Sequence, residues 1–322
     1  MVTVTCPSDF SLPVSRFLAD SGFRPTTRAT YECALKSFYG WCTGAGISLP
    51  TTVDVNHWRD FLLARYALAT AQTYLTVVKL FFCWTALQGY YPDVAYGIRK
   101  IRLGKVQSRD FLPAADIKHI LQSLKDYGQY RDYVMVSLMV TCGLRVSEVY
   151  HLDVNDLFCI GRQHLLRIHG KGRDGKSDCV AVSEAMAKLL QKYLSWRQQT
   201  LKTDDALLSP MFVSAGRRCA DGRLRSRSVS RIVKQALRRA GFDSPRLTAH
   251  SLRHTAVTLA LIGGASLQQA QQYARHRRIE TTQIYAHNLQ LVTNPCSRLV
   301  TQMVMGVLAS TRKHPTDLPC FK

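Results

Sequence analysis

Apolar positions recur at helical spacing through the first hundred residues. Tyr31, Leu35, Phe38 and Cys42 form one stripe, which predicts a helix capped by Thr26 and Thr27 and ended at Gly44 and Gly46. Asp54 is placed to cap a second helix through Trp58, Phe61, Leu62 and Arg65. A third helix begins near Thr70 and carries Tyr74, Val77, Val78, Phe81, Phe82 and Leu87 as far as Gly89. With a short helix before them, these make a small helical bundle.

The pattern then changes. Ala114 to Thr141 reads as a helix entered at Pro113, interrupted at Cys142-Gly143 and restarted from Val146 to Leu152. His164–His169 and Asp178–Val182 alternate as strands, with Asp174-Gly175 as a hairpin turn between them. Ser228 opens a helix with apolar residues at Val229, Ile232, Val233, Ala236, Leu237 and Ala240, stopped by Gly241. Further helices are predicted at His250–Ile262, Ser266–Tyr273 and Thr281–Asn288. The expected fold is mainly α with a small antiparallel sheet, a length of 322 residues suiting two domains.

Charge divides the chain at about the same place. Residues 1–98 hold 7 basic and 6 acidic residues, and residues 99–322 hold 36 and 16. The segment 99–110, with Arg99, Lys100, Arg102, Lys105 and Arg109, reads as an extended basic linker that can lie along phosphates. The expected organisation is a helical domain over 1–98, the linker over 99–110, a second domain over 111–294 and a tail over 295–322. A formal net charge of +21 makes an anionic partner the first to consider.

Several classes are disfavoured. The best apolar run, Tyr133 to Leu144, is broken by Ser137 and Thr141 and falls short of the ~20 residues a bilayer requires, so no membrane partner is expected. No basic residue precedes Arg16 and no secretory leader pattern is present, so the expected location is cytoplasmic, with the nucleoid. The 10 cysteines are scattered without a Cys-x-x-Cys pair, which suits small buried thiols better than zinc or redox chemistry. Neither a phosphate-binding P-loop nor a dinucleotide-binding glycine pattern occurs, and no cofactor is expected.

The densest basic block is Arg217, Arg218, Arg223, Arg225 and Arg227, continued by Arg231, Lys234, Arg238 and Arg239 on the next helix. Asp221 is the one acid between Arg217 and Ala240. A solvated face mixes signs; this one does not, and it reads as a phosphate track.

Four short segments carry candidate chemistry. In Thr141-Cys-Gly-Leu-Arg145-Val-Ser-Glu148, Arg145 sits at a helix restart, where free N–H groups favour an anion, and Glu148 is spaced to hold its guanidinium. In His169-Gly-Lys171-Gly, Lys171 sits at a strand end, where it could protonate an oxygen leaving group. In His250-Ser-Leu-Arg253-His254, His250 and Arg253 share a helix face. His250 and His254 have helical zinc spacing, but a third ligand is missing and Arg253 would repel a cation, so no metal is expected. In Ala274-Arg-His276 through Tyr285, the tyrosine stands near the polar His287 and Asn288, and Ile284 is the expected core residue of its helix.

Taken in order, Arg145, Lys171, His250-x-x-Arg253, His276 and Tyr285 resemble the tyrosine recombinase (phage integrase) family, of the stand-alone Xer and Cre type. The resemblance covers about residues 110–290; the N-terminal part resembles the family's core-binding, SAM-like domain only loosely. It implies an α+β catalytic domain in which Tyr285 attacks a DNA phosphorus and forms a 3′-phosphotyrosyl link. Arg145 and Arg253 would bind the phosphate oxygens, His276 would add a hydrogen bond, His250 would move a proton near the tyrosine, and Lys171 would protonate the leaving 5′-oxygen. It further implies double-stranded DNA sites, a homotetramer on two duplexes, a Holliday junction and accessory DNA-bending or regulatory proteins as partners. A type IB topoisomerase and a catalytically silent DNA-binding protein are the alternative readings.

The chain departs from the family pattern at Arg275, where glycine is usual, and in its nearly neutral N-terminal part, whose DNA contacts would fall to Arg24, Arg28, Arg59, Arg65 and Lys79. Lys176 stands near enough to Lys171 to compete with it for the lysine role.

Overall fold

A computed structural model describes residues 11–20, 22–102, 111–170, 175–201, 210–214, 222–293, 300, 303 and 304. The chain divides into two compact units, Met1–Gln107 and Ser108–Lys322.

The first unit is built on α1 (Ser11–Asp20), α2 (Pro25–Gly44), α3 (Thr52–Arg65) and α4 (Leu68–Leu87). Large side chains at helical spacing bury Phe17, Leu35, Phe38, Trp58, Leu75 and Phe82 in one core. Phe38 packs edge-on against Trp58 at 5.0 Å and against Phe82 at 5.7 Å, the geometry that aromatic quadrupoles favour. Helix starts differ from expectation. Pro25 opens α2 ahead of Thr26 and Thr27. Thr51 caps α3, and Asp54 is its reciprocal partner, taking the Thr51 backbone N–H at 2.7 Å.

The expected linker begins later than residue 99. Lys79 donates to the Ile98 carbonyl at 2.5 Å, Gln72 Oε1 accepts the Ile101 N–H at 2.7 Å, and both isoleucines are buried in the first core. Their apolar side chains, not the basic residues between them, decide this placement. Lys79 is thereby occupied, and Arg59 pairs with its neighbour Asp60.

The second unit runs through α5 (Ala114–Asp126), α6 (Tyr130–Thr141), α7 (Val146–Tyr150), β1 (Leu157–Ile160), β2 (Gln163–Ile168), β3 (Asp178–Val182), α8 (Glu184–Leu201), α9 (Ser226–Arg239), α10 (Ala249–Ile262), α11 (Leu267–Ala274) and α12 (Ile279–Thr293). The single helix expected over 114–141 is two, because Gly128 turns the chain with φ +66°. Helix α6 is buried almost all round and forms the centre of the unit. The sheet is antiparallel in the order β1-β2-β3, with Leu166 opposite Val180, so that Leu166, Ile168, Val180 and Val182 enter the core together. The strand β1 and helix α8 were not among the expected elements. The Asp174 half of the expected hairpin turn lies outside the described residues, as does most of the expected tail; Val300, Met303 and Val304 are exposed.

Candidate active site

Glu148 is the centre of the site. It lies on α7 and is only 1% exposed. Its carboxylate accepts the Arg145 backbone N–H at 2.8 Å and the Arg145 guanidinium at 2.7 Å. The helix start that suggested an anion site is therefore filled by the chain's own carboxylate, on a helix of five residues. The arginine beside it is held by its side chain and remains partly exposed.

Helix α10 brings Arg253 to the same carboxylate. Arg253 is 1% exposed, donates to the Gly143 carbonyl at 2.6 Å and to the Ala274 carbonyl, and comes within 4.0 Å of Glu148. Gly143 permits this turn: its φ is +57°, and a Cβ there would meet the Tyr273 ring at 3.2 Å. Arg275 at the end of α11 supplies a third guanidinium, bonded to Glu148 at 2.8 Å.

These three guanidinium groups share one carboxylate, which leaves an excess of positive charge in a largely buried place. Burial pushes the Glu148 carboxyl up, but Arg275, the Arg145 backbone N–H, and the charges of Arg145 and Arg253 outweigh it and hold it below the ordinary value. Burial, then Arg145 and Arg275, push Arg253 down to about 10; Glu148 and Tyr285 act in the other direction. Arg253 therefore remains charged at neutral pH, and a bound anion would relieve the repulsion.

The turn after α11 positions His276, whose Nδ1 shares a 2.9 Å hydrogen bond with Thr282 Oγ1 on α12. One further turn of α12 brings Tyr285 inward. Tyr285 is 6% exposed, whereas Ile284 is 57% exposed, the reverse of the expected core assignment. Helix rotation decided this: Tyr285 packs in a small cluster with Val257, Ala270 and Ala274. Its ring stacks on His254 at 4.7 Å and on His276 at 5.8 Å. His250 is exposed, with its ring 4.9 Å from that of His254. The zinc spacing of His250 and His254 gives no sign of the contact between His254 and Tyr285. That spacing is local to α10; the partner on α12 is not. Thr282 likewise carries no sequence signal of its hydrogen bond with His276.

Of the two lysines, Lys176 is committed elsewhere. It donates to Asp153 at 2.5 Å and to Asp156, anchoring the β2–β3 connection to the turn before β1. Lys171 lies outside the described residues. His169 follows β2 and stacks on His151 at 4.6 Å.

Burial, followed by Arg253, Arg145, Arg275 and His250, pushes His276 down to about 4. The unfolded chain takes up this proton near 6.5 and the folded one near 4. The stability from His276 is thus complete above pH 6.5 and lost as pH falls from 6.5 to 4. Thermal denaturation of wild type and His276→Gln across that window is expected to converge on acidification. Parallel curves would show that His276 is not held neutral.

The basic block is not uniform. Arg217 and Arg218 lie outside the described residues. Arg223 points inward, donating to the Tyr150 carbonyl at 3.0 Å and to Asp153 at 2.5 Å. Its expected place in the phosphate track does not hold, because it closes the network on Asp153. Lys234 donates to the Ser244 carbonyl at 2.6 Å. Arg225, Arg227 and Arg231 are exposed at the start of α9.

Among the described residues, no helix is long and apolar enough to cross a membrane. Comparison with known proteins agrees with this architecture. Residues 110–291 match the phage integrase family. Tyrosine recombinase XerC of Corynebacterium efficiens is 33% identical over 65% of this chain and 64% of its own, so this chain spans a little under two thirds of that relative's length. Tyrosine recombinase XerD of Pseudomonas putida is 30% identical over 83% of this chain and 88% of its own. The crystal structure of XerH site-specific recombinase bound to palindromic difH substrate, a post-cleavage complex, shares the fold with a TM-score of 0.69 at 18% identity, over 83% of this chain and 79% of that one. The chain belongs to the phage integrase family, the tyrosine recombinases.

Proposed function

We propose that this chain is a site-specific DNA recombinase that cuts and rejoins strands through a phosphotyrosine at Tyr285. The observation that carries this is the excess charge on Glu148: three guanidinium groups share one buried carboxylate. Such a site suits an anion that gains charge as it reacts. A buried tyrosine whose ring stacks on those of His254 and His276 is packed close by.

In this reading Arg145 and Arg253 hold the non-bridging oxygens of the scissile phosphate, and His276 adds a hydrogen bond. The Tyr285 oxygen bonds to phosphorus as the bond to the 5′-oxygen breaks. The phenolic proton leaves toward His250 with His254 beside it, and Lys171 delivers a proton to the departing oxygen. Bond energy is retained in the 3′-phosphotyrosine, so a 5′-hydroxyl from a partner duplex can reverse the step. Strand joining follows from that reversibility; the family resemblance implies that a homotetramer carries it out by pairwise exchange through a Holliday junction. Covalent capture on random-sequence duplexes with central nicks tests the chemistry: an adduct at Tyr285 supports it, and its absence on enriched sequences would favour a binding protein. Relaxation of supercoiled DNA without strand exchange would favour a topoisomerase.

Among the described residues of the basic block, Arg225, Arg227 and Arg231 are exposed and suited to phosphates; Arg238, also exposed, pairs with Asp243. Arg231→Ala is expected to lower the slope of log affinity against log salt by about 1, measured by DNA titration between low and moderate salt. An unchanged slope would remove Arg231 from the interface.

A further inference from the structure

Arg275 has φ 53° and ψ 45°, the one non-glycine positive φ among the described residues. A side chain with a Cβ is strained in this left-handed region, and glycine is not. The Arg275 Nε is also buried without a hydrogen-bond partner. Both features cost stability, and such costs collect where a residue has a task beyond stability.

The contacts of its guanidinium indicate that task. One nitrogen donates to the Tyr273 carbonyl at 2.9 Å and the Cys142 carbonyl at 3.4 Å. The other donates to Glu148 at 2.8 Å and the Gly143 carbonyl at 3.2 Å. Arg275 thus ties the end of α11 to the α6–α7 turn. The first of these places His276, one residue on; the second places Arg145 through Glu148. Arg253 spans the same gap, on the Gly143 and Ala274 carbonyls. Glu148 would otherwise have a single guanidinium within 3 Å, that of Arg145.

We infer that Arg275 is a positioning residue: by holding Glu148 through Oε2 while the Arg145 guanidinium takes Oε1, it fixes the carboxylate that aims Arg145, and it couples that aim to the turn bearing His276. The inference rests on the recombinase reading above. A forked, planar guanidinium is required, since a lysine ammonium could not span three carbonyls and a carboxylate at fixed angles.

The test compares wild type with Arg275→Gly, Arg275→Ala and Arg275→Lys. Single-turnover cleavage of a nicked duplex is measured at saturating DNA, beside DNA affinity and thermal midpoint. Arg275→Gly is expected to cleave about 10- to 100-fold more slowly with affinity changed less than about threefold. Its midpoint should exceed that of Arg275→Ala, because glycine relieves the backbone. Arg275→Lys should be intermediate in rate, and millimolar guanidinium ion should accelerate Arg275→Gly and leave wild type unchanged. Cleavage by Arg275→Gly at the wild-type rate would overturn the inference. Equal losses of rate and affinity would do so too, since they would make Arg275 a direct phosphate contact. Failure of wild type itself to form an adduct would overturn the recombinase reading and this inference with it; an adduct in wild type keeps the two separable.

Discussion

Tyr285→Phe is expected to reduce covalent DNA adducts by more than about 10⁴-fold, below detection, while DNA affinity stays within about threefold of wild type. The substitution removes one oxygen and nothing else from the position of the proposed nucleophile. The ring keeps its stacking on His254 and His276 and its packing against Val257 and Ala270. Fold stability should change by no more than about 1 kcal/mol, the ordinary net worth of a single hydrogen bond. In the proposed function phosphate is bound through Arg145 and Arg253 and not through the phenol, so the complex should still form. Capture on nicked duplexes, with affinity measured on the same DNA, separates the two effects. Adducts that persist in the variant would place the nucleophile elsewhere, and a collapse of affinity would mean that Tyr285 binds DNA instead of reacting with it.

Glu148→Gln is the second large effect expected, and it acts on stability as well as chemistry. Gln has nearly the same shape, so packing is preserved and the change isolates the charge. With Glu148 only 1% exposed, its loss leaves Arg253 and Arg275 without their shared counter-ion in a place water hardly reaches. Removing one partner of a buried ion pair costs about 3 kcal/mol. For a unit of this size that lowers the thermal midpoint by about 6–12 °C. Cleavage should also fall by about 100-fold, because the amide keeps one acceptor oxygen and cannot serve both the Arg145 guanidinium on Oε1 and the Arg145 N–H and Arg275 guanidinium on Oε2. Differential scanning calorimetry, with cleavage at saturating DNA, reads both. A midpoint within about 1 °C of wild type would show that Glu148 fills space and carries no charge balance.

The candidate site was partly legible because short-range spacing encodes it. Arg145 and Glu148 lie three residues apart on one turn, and His250 and Arg253 do likewise, so each pair could be read as sharing a face. Arg275 stood out as a departure from the usual glycine, but its partner Glu148 lies more than a hundred residues away and no local pattern joins them. The motif order singles out Tyr285 as a candidate but says nothing of its surroundings. The polar residues that follow it suggested an exposed position, and packing on α10 and α11 turned the ring inward instead. Arg223 shows the converse error: a charge run reads as one surface, yet Asp153, distant in sequence, draws this member inside.

What the sequence by itself determined is the helical register of most elements, the presence of β2 and β3, the surplus of basic charge after residue 98 and the residue types of the site in their order. Each is a property of near neighbours or of composition, so each survives without a fold. The tertiary structure alone decided where the first unit's core ends, that Lys176 is spent on Asp153 and Asp156, that His254 stacks on the tyrosine, and that three arginines converge on Glu148. Those facts depend on helices distant in sequence meeting at a few ångströms, where burial strengthens charge and selects one partner among many.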